Sequence, residues 1–312
     1  MKYIVKKIFT LLLGLFALSF LAFFAFTVIP GDPAALRLGV DATPEALAAL
    51  RAELGLDQPL FLRYFSWLAG FLQGDFGVSY AHGDTVANLL RHRLFTTGAL
   101  MLLSFCFTLI IALPLGLFTA GKQKGILHWF VTIISQALMA IPPIFLGLLF
   151  TIIFGFIFRL FSPGQFVYFH ENPVAFWTYL FFPALAIAIP KAAMTIRLIR
   201  NAVAAELPKE YLRTAKSKGQ HPGKILSSHV FPNIAAPLLT FLALSAIMIL
   251  TDTFVIEQIF SIPGAGRLFI TAIGTRDYPL VLTLVSMIGI FILGIHTFVD
   301  IIVKRIDPRI ST

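Results

Sequence analysis

Residues 8–29 read IFTLLLGLFALSFLAFFAFTVI, a run of 22 residues without a charged side chain. A helix needs about 20 predominantly apolar residues to cross the hydrocarbon core of a membrane. The preceding lysines, Lys2, Lys6 and Lys7, resemble the start of a cleavable signal peptide. Such a signal has an apolar region of only about 7 to 15 residues and a small-residue cleavage site, and this run has neither. The sequence therefore predicts a first membrane span that is retained.

Five further apolar blocks follow along the chain. Apolar residues make up 58% of the sequence and charged residues 12%, against about 45 to 50% and about 25% in soluble proteins. The blocks predict an all-α integral membrane protein with one transmembrane domain over residues 1–312. A long external loop at 30–97 follows the first span, and a cytoplasmic loop at 194–235 precedes the fifth. The six predicted spans are residues 8–29, 98–120, 129–161, 177–193, 236–260 and 278–303.

The basic residues predict the orientation. Lysine and arginine are retained in the cytoplasmic loops of membrane proteins. Six spans put both termini on one side, and that side receives 16 of the 24 basic residues, including Lys122, Lys124, Lys191 and Arg309. We therefore expect a multi-pass protein of the cytoplasmic (inner) membrane with both termini in the cytoplasm. This topology explains the net charge of +9, so no nucleic-acid partner is predicted. Membrane lipid is an expected partner.

The first external segment contains two helix signals. Thr43-Pro44-Glu45 supplies a capping hydroxyl, a proline at the first helical position and an acid in the first turn, and Gly55 closes the helix. A second helix is predicted after Pro59; it is too short to span and contains Arg63, which favours a position at the membrane interface.

The third apolar block is too long for one straight helix and contains the pair Pro142-Pro143. Proline removes a helical hydrogen bond and clashes with the preceding turn, so a break is expected there. Backbone groups freed inside a membrane are tolerated where protein or a water-lined cavity satisfies them. The pair is therefore either part of a transport pathway or a packing kink.

Four ionisable residues fall within the predicted spans. Asp252 and Glu257 lie toward the outer end of span five, where we expect them to reach the interface at small cost. His296 and Asp300 are four residues apart on one face of span six, which favours a helix–helix hydrogen bond over a proton or metal site.

The chain carries no motif of a known catalytic class. It lacks G-x-x-x-x-G-K-[ST], H-E-x-x-H and G-x-S-x-G, and its single cysteine, Cys106, permits no intrachain disulfide. We therefore predict no catalytic residues, no cofactor, no metal and no ATP hydrolysis by this chain itself.

The loop before span five predicts two short helices outside the bilayer. Residues 209–218 form a basic segment stopped by Gly219, and residues 223–230 form a second segment ended by Phe231-Pro232. Such a projection suits docking of another protein; the alternative is a basic anchor on anionic lipid.

The sequence of this loop is similar to that of a known transporter family. Residues 210–219 read EYLRTAKSKG and residues 229–233 read HVFPN. They resemble the signature E-A-A, three residues, G, nine residues, I-x-L-P of the inner-membrane permeases of ATP-binding-cassette (ABC) importers, in the form of the dipeptide, oligopeptide and nickel branch. The first two positions are Arg213 and Thr214 instead of E-A, and His229 and Phe231 replace I and L. Further stretches that look like the same branch are Gly31-Asp32-Pro33, residues 54–60, 74–80 and 256–267, Arg276-Asp277-Tyr278-Pro279 and Asp307-Pro308-Arg309.

The resemblance implies an importer subunit with separate partners. These would be a second similar permease in a heterodimer, two cytoplasmic ATPase subunits that grip the loop, and an external binding protein that delivers substrate. Small peptides are the expected cargo, while nickel, another metal chelate, haem and sugars stay open. A secondary transporter is the less favoured alternative. The residues implied to couple ATPase and membrane are Tyr211, Arg213, Thr214, Ala215, Lys218, Gly219, His229 and Pro232.

Overall fold

A computed structural model describes residues 2–28, 32–39, 42–120 and 125–306, which are helical apart from connecting segments and one isolated bridge between Val78 and Thr85. Predicted features at Ile29, Pro30, Gly31, Lys122, Lys124 and Asp307-Pro308-Arg309 lie outside these residues. The helices are α1 (Lys2–Val28), α2 (Pro33–Leu38), α3 (Pro44–Glu53), α4 (Leu60–Gln73), α5 (Val86–Ala120), α6 (Ile126–Ala140), α7 (Pro143–Phe150), α8 (Pro173–Glu206), α9 (Glu210–Ser217), α10 (Pro222–Ile225), α11 (Phe231–Ile259), α12 (Ala265–Gly274) and α13 (Tyr278–Ile306).

Within the described ranges, five helices are long and apolar enough to cross a membrane: α1, α5, α8, α11 and α13. The bent pair of α6 and α7 makes a sixth if it counts as one span. The predicted all-helical membrane fold is confirmed.

Several helices extend beyond the predicted boundaries. Helix α5 begins at Val86 and not at 98, and α8 continues to Glu206, so residues 194–206 of the predicted cytoplasmic loop are helical. Hydropathy detects the part of a helix that suits lipid, whereas the backbone hydrogen bonds continue into polar sequence.

The expected helix end at Phe231-Pro232 is wrong. A π-helical turn at Leu226–Val230 connects α10 to α11, and Pro222–Ile259 is helical without interruption. Pro232 stands in the first turn of α11, where a missing N–H is tolerated, and the wider π turn before it changes the hydrogen-bond register.

The chain does break at Pro142-Pro143. Helix α6 ends at Ala140, Ile141 has extended backbone with φ −87° and ψ 119°, and α7 starts at Pro143. A residue before proline avoids the helical region, and proline is well suited to the first position of a helix. The two helical segments, His128–Ala140 and Pro143–Ile157, make an angle of 94°.

The chain forms two compact units, of which the first comprises Met1–Thr97 and Pro263–Thr297. The helix signals expected in the segment after the first span are present. The Thr43 hydroxyl accepts a hydrogen bond from the Ala46 amide at 3.3 Å, and Gly55 closes α3 with φ +67°. Helix α4 packs on α1 through Tyr64, which is fully buried and shares a 3.0 Å hydrogen bond with Ser19.

Two of the family-like stretches meet in this first unit. The carboxylate of Asp277 is fully buried and accepts hydrogen bonds from the Tyr80 amide at 3.0 Å, the Ala81 amide at 3.3 Å and the Ser79 hydroxyl. Asp277 belongs to residues 276–279, Ser79 and Tyr80 belong to residues 74–80, and Ala81 follows directly, so the joint presence of the two stretches in the sequence has a structural reason.

The second unit comprises Gly98–Ile262 and Phe298–Thr312. Its core lies between α8 and α11, with Leu180 and Ile187 facing Ile249 and Ile256 in one buried cluster. The Tyr179 hydroxyl donates to the Phe260 carbonyl at 2.5 Å and accepts from the Gly164 amide at 3.1 Å. The first bond joins the N-terminal part of α8 to the end of α11, and the second holds the segment before α8 against the same tyrosine.

Candidate functional site

Helix α9 is a short amphipathic helix held by two side chains. Leu212 and Ala215 are buried, in a cluster that includes Val203 of α8 and Ile234 and Leu238 of α11. The other residues of the helix are exposed. Glu210 stands in its first turn and Lys216 in its last, a charge order that favours the helix dipole. The helix is thus docked on one side and open on the other.

Gly219 ends α9 as the sequence predicts. Its φ is +73°, a conformation that favours glycine, and its amide donates to the Lys216 carbonyl at 3.0 Å. The next amide, of Gln220, donates to the Ala215 carbonyl at 3.3 Å. The two bonds form a Schellman motif. A side chain at Gly219 would meet no atom within 4 Å, so the backbone conformation is the constraint.

A chain of polar side chains joins three helices at this site. The Tyr211 hydroxyl donates to Oε2 of Glu206 at 2.6 Å, and the Asn233 amide donates to the Tyr211 oxygen at 2.8 Å. Glu206 is the last residue of α8 and is buried, Tyr211 is on α9, and Asn233 is in the first turn of α11. Lys209 donates to the other oxygen of Glu206. A displacement of α9 therefore acts on both spans.

The protonation states of Lys209 and Tyr211 agree with their roles as hydrogen-bond donors to Glu206. The hydrogen bond to Glu206 raises the pKa of the Lys209 ammonium against the opposing effect of desolvation. Burial raises the pKa of the Tyr211 hydroxyl, and the hydrogen bond to Glu206 raises it further. Lys209 is therefore charged and Tyr211 neutral at physiological pH, so both are donors to the glutamate.

The other implied coupling residues surround this chain. His229 forms a 2.8 Å hydrogen bond with the Gln220 side chain, and its carbonyl accepts from Asn233 at 3.0 Å. Arg213 pairs with Glu210 at 2.9 Å on the exposed face. Thr214, Lys218 and Pro232 are also exposed. The sequence did not assign roles to Glu206, Gln220 and Asn233, although Asn233 directly follows the quoted signature.

The exposed face of α9 is basic. Arg213 and Lys216 lie on it, Lys218 directly follows the helix, and Glu210 is the one acid of α9. A cationic face next to a glycine-closed end is suited to an acidic groove on a partner protein.

The ionisable residues of span five do not reach the interface as expected. The Lys191 ammonium lies 2.7 Å from Oδ2 of Asp252, with the two side chains 7% and 20% exposed. Asp252 Oδ2 accepts no hydrogen bond of good geometry, so its contact with Lys191 is an ion pair. Lys191 was expected near the cytoplasmic end of span four and lies in the middle of α8, and Glu257 is fully buried. The expectation considered only the position of each acid near the end of its span. A charged side chain can be buried when a residue of another helix pairs with it, and that partner is not visible from the position alone.

The remaining predicted positions are less informative. His296 is exposed, and its ring forms no hydrogen bond with another described residue, so the expected helix–helix bond from this histidine is wrong. Within the described ranges no three acidic, histidine or cysteine residues are grouped as metal ligands. Pro142 and Pro143 produce the break, and nothing in its geometry assigns a pathway role.

The comparison with known proteins decides the family. Residues 112–312 match the family described as the inner membrane component of binding-protein-dependent transport systems, and residues 1–106 match its N-terminal part. The chain belongs to this family. It is an inner-membrane permease of the ABC importer class, whose members work with separate ATPase subunits and a binding protein. The resemblance of the loop sequence is thereby confirmed.

Full-length relatives agree with this assignment. A Brucella abortus permease is 32% identical over 98% of this chain and 98% of its own length. The dipeptide transport system permease protein of Bacillus subtilis is 30% identical, covering 99% and 98%. The glutathione transport system permease protein of Shigella flexneri is 27% identical, covering 99% of each chain.

A solved structure supports the fold. The MetNI methionine ABC transporter in inward-facing conformations contains a chain that matches 70% of this permease and 96% of its own length. The TM-score is 0.55 at 19% identity, so the similarity concerns the helical fold and not the substrate.

Proposed function

We propose that this permease translocates small peptides delivered by an external binding protein and driven by ATP hydrolysis on cytoplasmic subunits. The observation that carries the coupling part is helix α9, which exposes a basic face and is joined through Glu206, Tyr211 and Asn233 to two membrane helices. The peptide cargo is supported by the names of full-length relatives, which are dipeptide and glutathione permeases. The same comparisons do not favour nickel.

In this proposal α9 receives the movement of the ATPases. A push on its exposed face acts on α8 through Glu206 and on α11 through Asn233 and the buried contacts of Leu212 and Ala215. The Lys191–Asp252 pair and the Tyr179–Phe260 bond connect the same two helices farther along. Helices α8 and α11 then move together, which suits rocking between inward-open and outward-open states.

The assembly in this proposal has two permeases, this chain and a similar one, two ATPase subunits and one binding protein. Both termini and α9 face the cytoplasm. Tyr211, Ala215, Gly219, His229 and Pro232 shape the docking surface, and Arg213, Thr214 and Lys218 contact the ATPase directly. The break at Pro142-Pro143 is a hinge beside the pathway.

The test is uptake of a labelled dipeptide into vesicles that contain the complete importer. Uptake of the dipeptide should require ATP and should stop when the binding protein is omitted. The same vesicles should take up no labelled nickel. Gly219→Pro should leave the permease inserted and abolish uptake, because proline cannot adopt φ +73° and lacks the amide that bonds Lys216. Uptake by this chain alone under a proton gradient would exclude the importer function in favour of a secondary transporter.

A further inference from the structure

A cavity of about 580 Å³ lies between the end of α5, one side of α6 from His128 to Met139, and the last third of α8. A small-molecule site has a volume of about 300 to 1,000 Å³, so the cavity is large enough for a headgroup. Its polar lining includes Thr132, Ser135, Gln136, Arg197, Arg200 and Asn201. All of these residues belong to the second unit.

The charge of this cavity is positive and uncompensated. Arg197 and Arg200 both line it, and no carboxylate is among its lining residues. Neither guanidinium forms an ion pair with an acid in the described part of the chain. Nη2 of Arg200 instead lies 2.9 Å from Nδ1 of the His128 ring. An anionic group in the cavity would balance both arginines.

The surface beside the cavity is apolar and suits lipid chains. Ile126, Trp129, Phe130 and Ile133 of α6 are 91%, 65%, 60% and 58% exposed. They alternate along the helix with His128 and Thr132, which line the cavity. Tryptophan near the end of a membrane helix is typical of the headgroup level, and basic pockets between membrane helices bind anionic headgroups.

We propose that this cavity binds the phosphate of an anionic membrane lipid, with the acyl chains lying along the exposed face of α6. The arginines bind the phosphate through charge-assisted hydrogen bonds, and Gln136 and Asn201 supply further polar contacts. The site is separate from the chain of side chains at α9 and does not depend on the identity of the transported substrate.

The test measures lipid preference at Trp129 in the full-length chain. Trp67→Phe/Trp177→Phe leaves Trp129 as the one tryptophan, since the sequence has three. Quenching by brominated phosphatidylglycerol is compared with quenching by brominated phosphatidylcholine in vesicles. We expect phosphatidylglycerol to bind about 30-fold more tightly, the preference that two basic groups give at a membrane surface. Native mass spectrometry of the unaltered chain measures the retained lipid independently.

Matched variants separate charge from shape. Arg197→Gln/Arg200→Gln should reduce the preference to about onefold, while Arg197→Lys/Arg200→Lys should keep most of it. Lys304→Gln/Arg305→Gln removes the same charge at the end of α13 and should keep the preference. Equal quenching by the two lipids, or a preference that survives the glutamine pair, overturns the proposal. Displacement of the lipid by a soluble dipeptide also overturns it, because the cavity would then receive substrate. None of these measurements needs ATPase subunits, so failure here leaves the importer function unaffected.

Discussion

The Lys191 ammonium and the Asp252 carboxylate form an ion pair at 2.7 Å between α8 and α11, 61 positions apart in sequence. Both helices are membrane spans, so both side chains of the pair are largely withdrawn from bulk water. Removing one partner of a buried pair leaves an uncompensated charge, whereas replacing both by apolar residues is often neutral. The pair therefore makes a clear prediction about stability.

Lys191→Met or Asp252→Leu alone should lower the free energy of unfolding by about 3 to 5 kcal/mol, because each leaves the other charge buried. The double variant Lys191→Met/Asp252→Leu should lose less than either single variant. Unfolding of the purified chain in mixed micelles measures all three. Losses that simply add in the double variant would show that the two charges do not interact.

The exposed pair of Arg213 and Glu210 is the control for this series, with side chains 69% and 83% exposed. Glu210→Gln should leave the unfolding midpoint unchanged within error, since water screens an exposed pair.

Gly219→Ala should weaken binding of the ATPase subunits to the permease by about 5- to 30-fold. A side chain in the left-handed conformation costs about 1 to 2 kcal/mol, which opens the end of α9. Titration of ATPase subunits onto permease-containing vesicles measures the affinity.

Gly55→Ala is the matched control, because Gly55 closes α3 with φ +67° and the same pair of backbone bonds, from Gly55 to Ala52 and from Leu56 to Arg51. Gly55→Ala introduces the same backbone strain as Gly219→Ala, but in the first unit and not at α9, so the affinity for the ATPase subunits should be unchanged. An equal loss in both glycine variants would contradict the assignment of α9.

Tyr211→Phe should reduce the amount of peptide taken up per ATP hydrolysed, because it removes the oxygen that joins Glu206 to Asn233. Asn233→Ala should have a similar effect. The double variant should be no worse than the stronger single variant, since both act on one chain of bonds. Parallel assays of uptake and phosphate release in vesicles give the ratio.

Ser228→Ala is the control for this series, as Ser228 is exposed on the π turn beside the site. It should retain the normal ratio. Additive losses from Tyr211→Phe and Asn233→Ala would indicate two separate roles.

Gly147→Ala should destabilise the packing of α7 on α11 by about 1 to 3 kcal/mol. The added methyl group would lie 2.8 Å from Cδ1 of Ile256 and 3.3 Å from Cδ1 of Ile259. Ile256→Val removes the nearer atom and should restore part of the loss in the double variant. Thermal unfolding in detergent measures both.

Gly98→Ala is the corresponding control, because a methyl group there meets no atom within 4 Å. It should be neutral or stabilising by up to about 1 kcal/mol through helix propensity. If Gly147→Ala is equally harmless, the close approach at Ile256 is not limiting.

Local signals predicted much of this fold. The cap at Thr43, the break at Pro142-Pro143 and the end of α9 at Gly219 each depend on the backbone preferences of a few neighbouring residues. Such preferences act within one or two turns and are visible in the sequence. The proline at 232 shows the limit, since a π turn before it allowed the helix to continue.

Non-local pairing could not be predicted from the same signals. Lys191 was expected at the cytoplasmic end of span four and Asp252 at the interface, and each expectation was reasonable for a single charge near a span end. Their mutual attraction, and the burial of Glu257, depend on how two helices pack. The chain through Glu206, Tyr211 and Asn233 is likewise visible only when α8, α9 and α11 are brought together.

The closed end of α9 at Gly219 also has a mechanical consequence. With 8 residues and a rise of about 1.5 Å for each, the helix is a rigid rod about 12 Å long. A shift of about 1 Å at one end tilts such a rod by about 5°, and the bonds at Tyr211 near its start provide the pivot. If the end of α9 frayed, its backbone would bend and absorb this rotation. The turn at Gly219 prevents fraying, so the helix rotates as one body and transmits the tilt to the bonds at Tyr211.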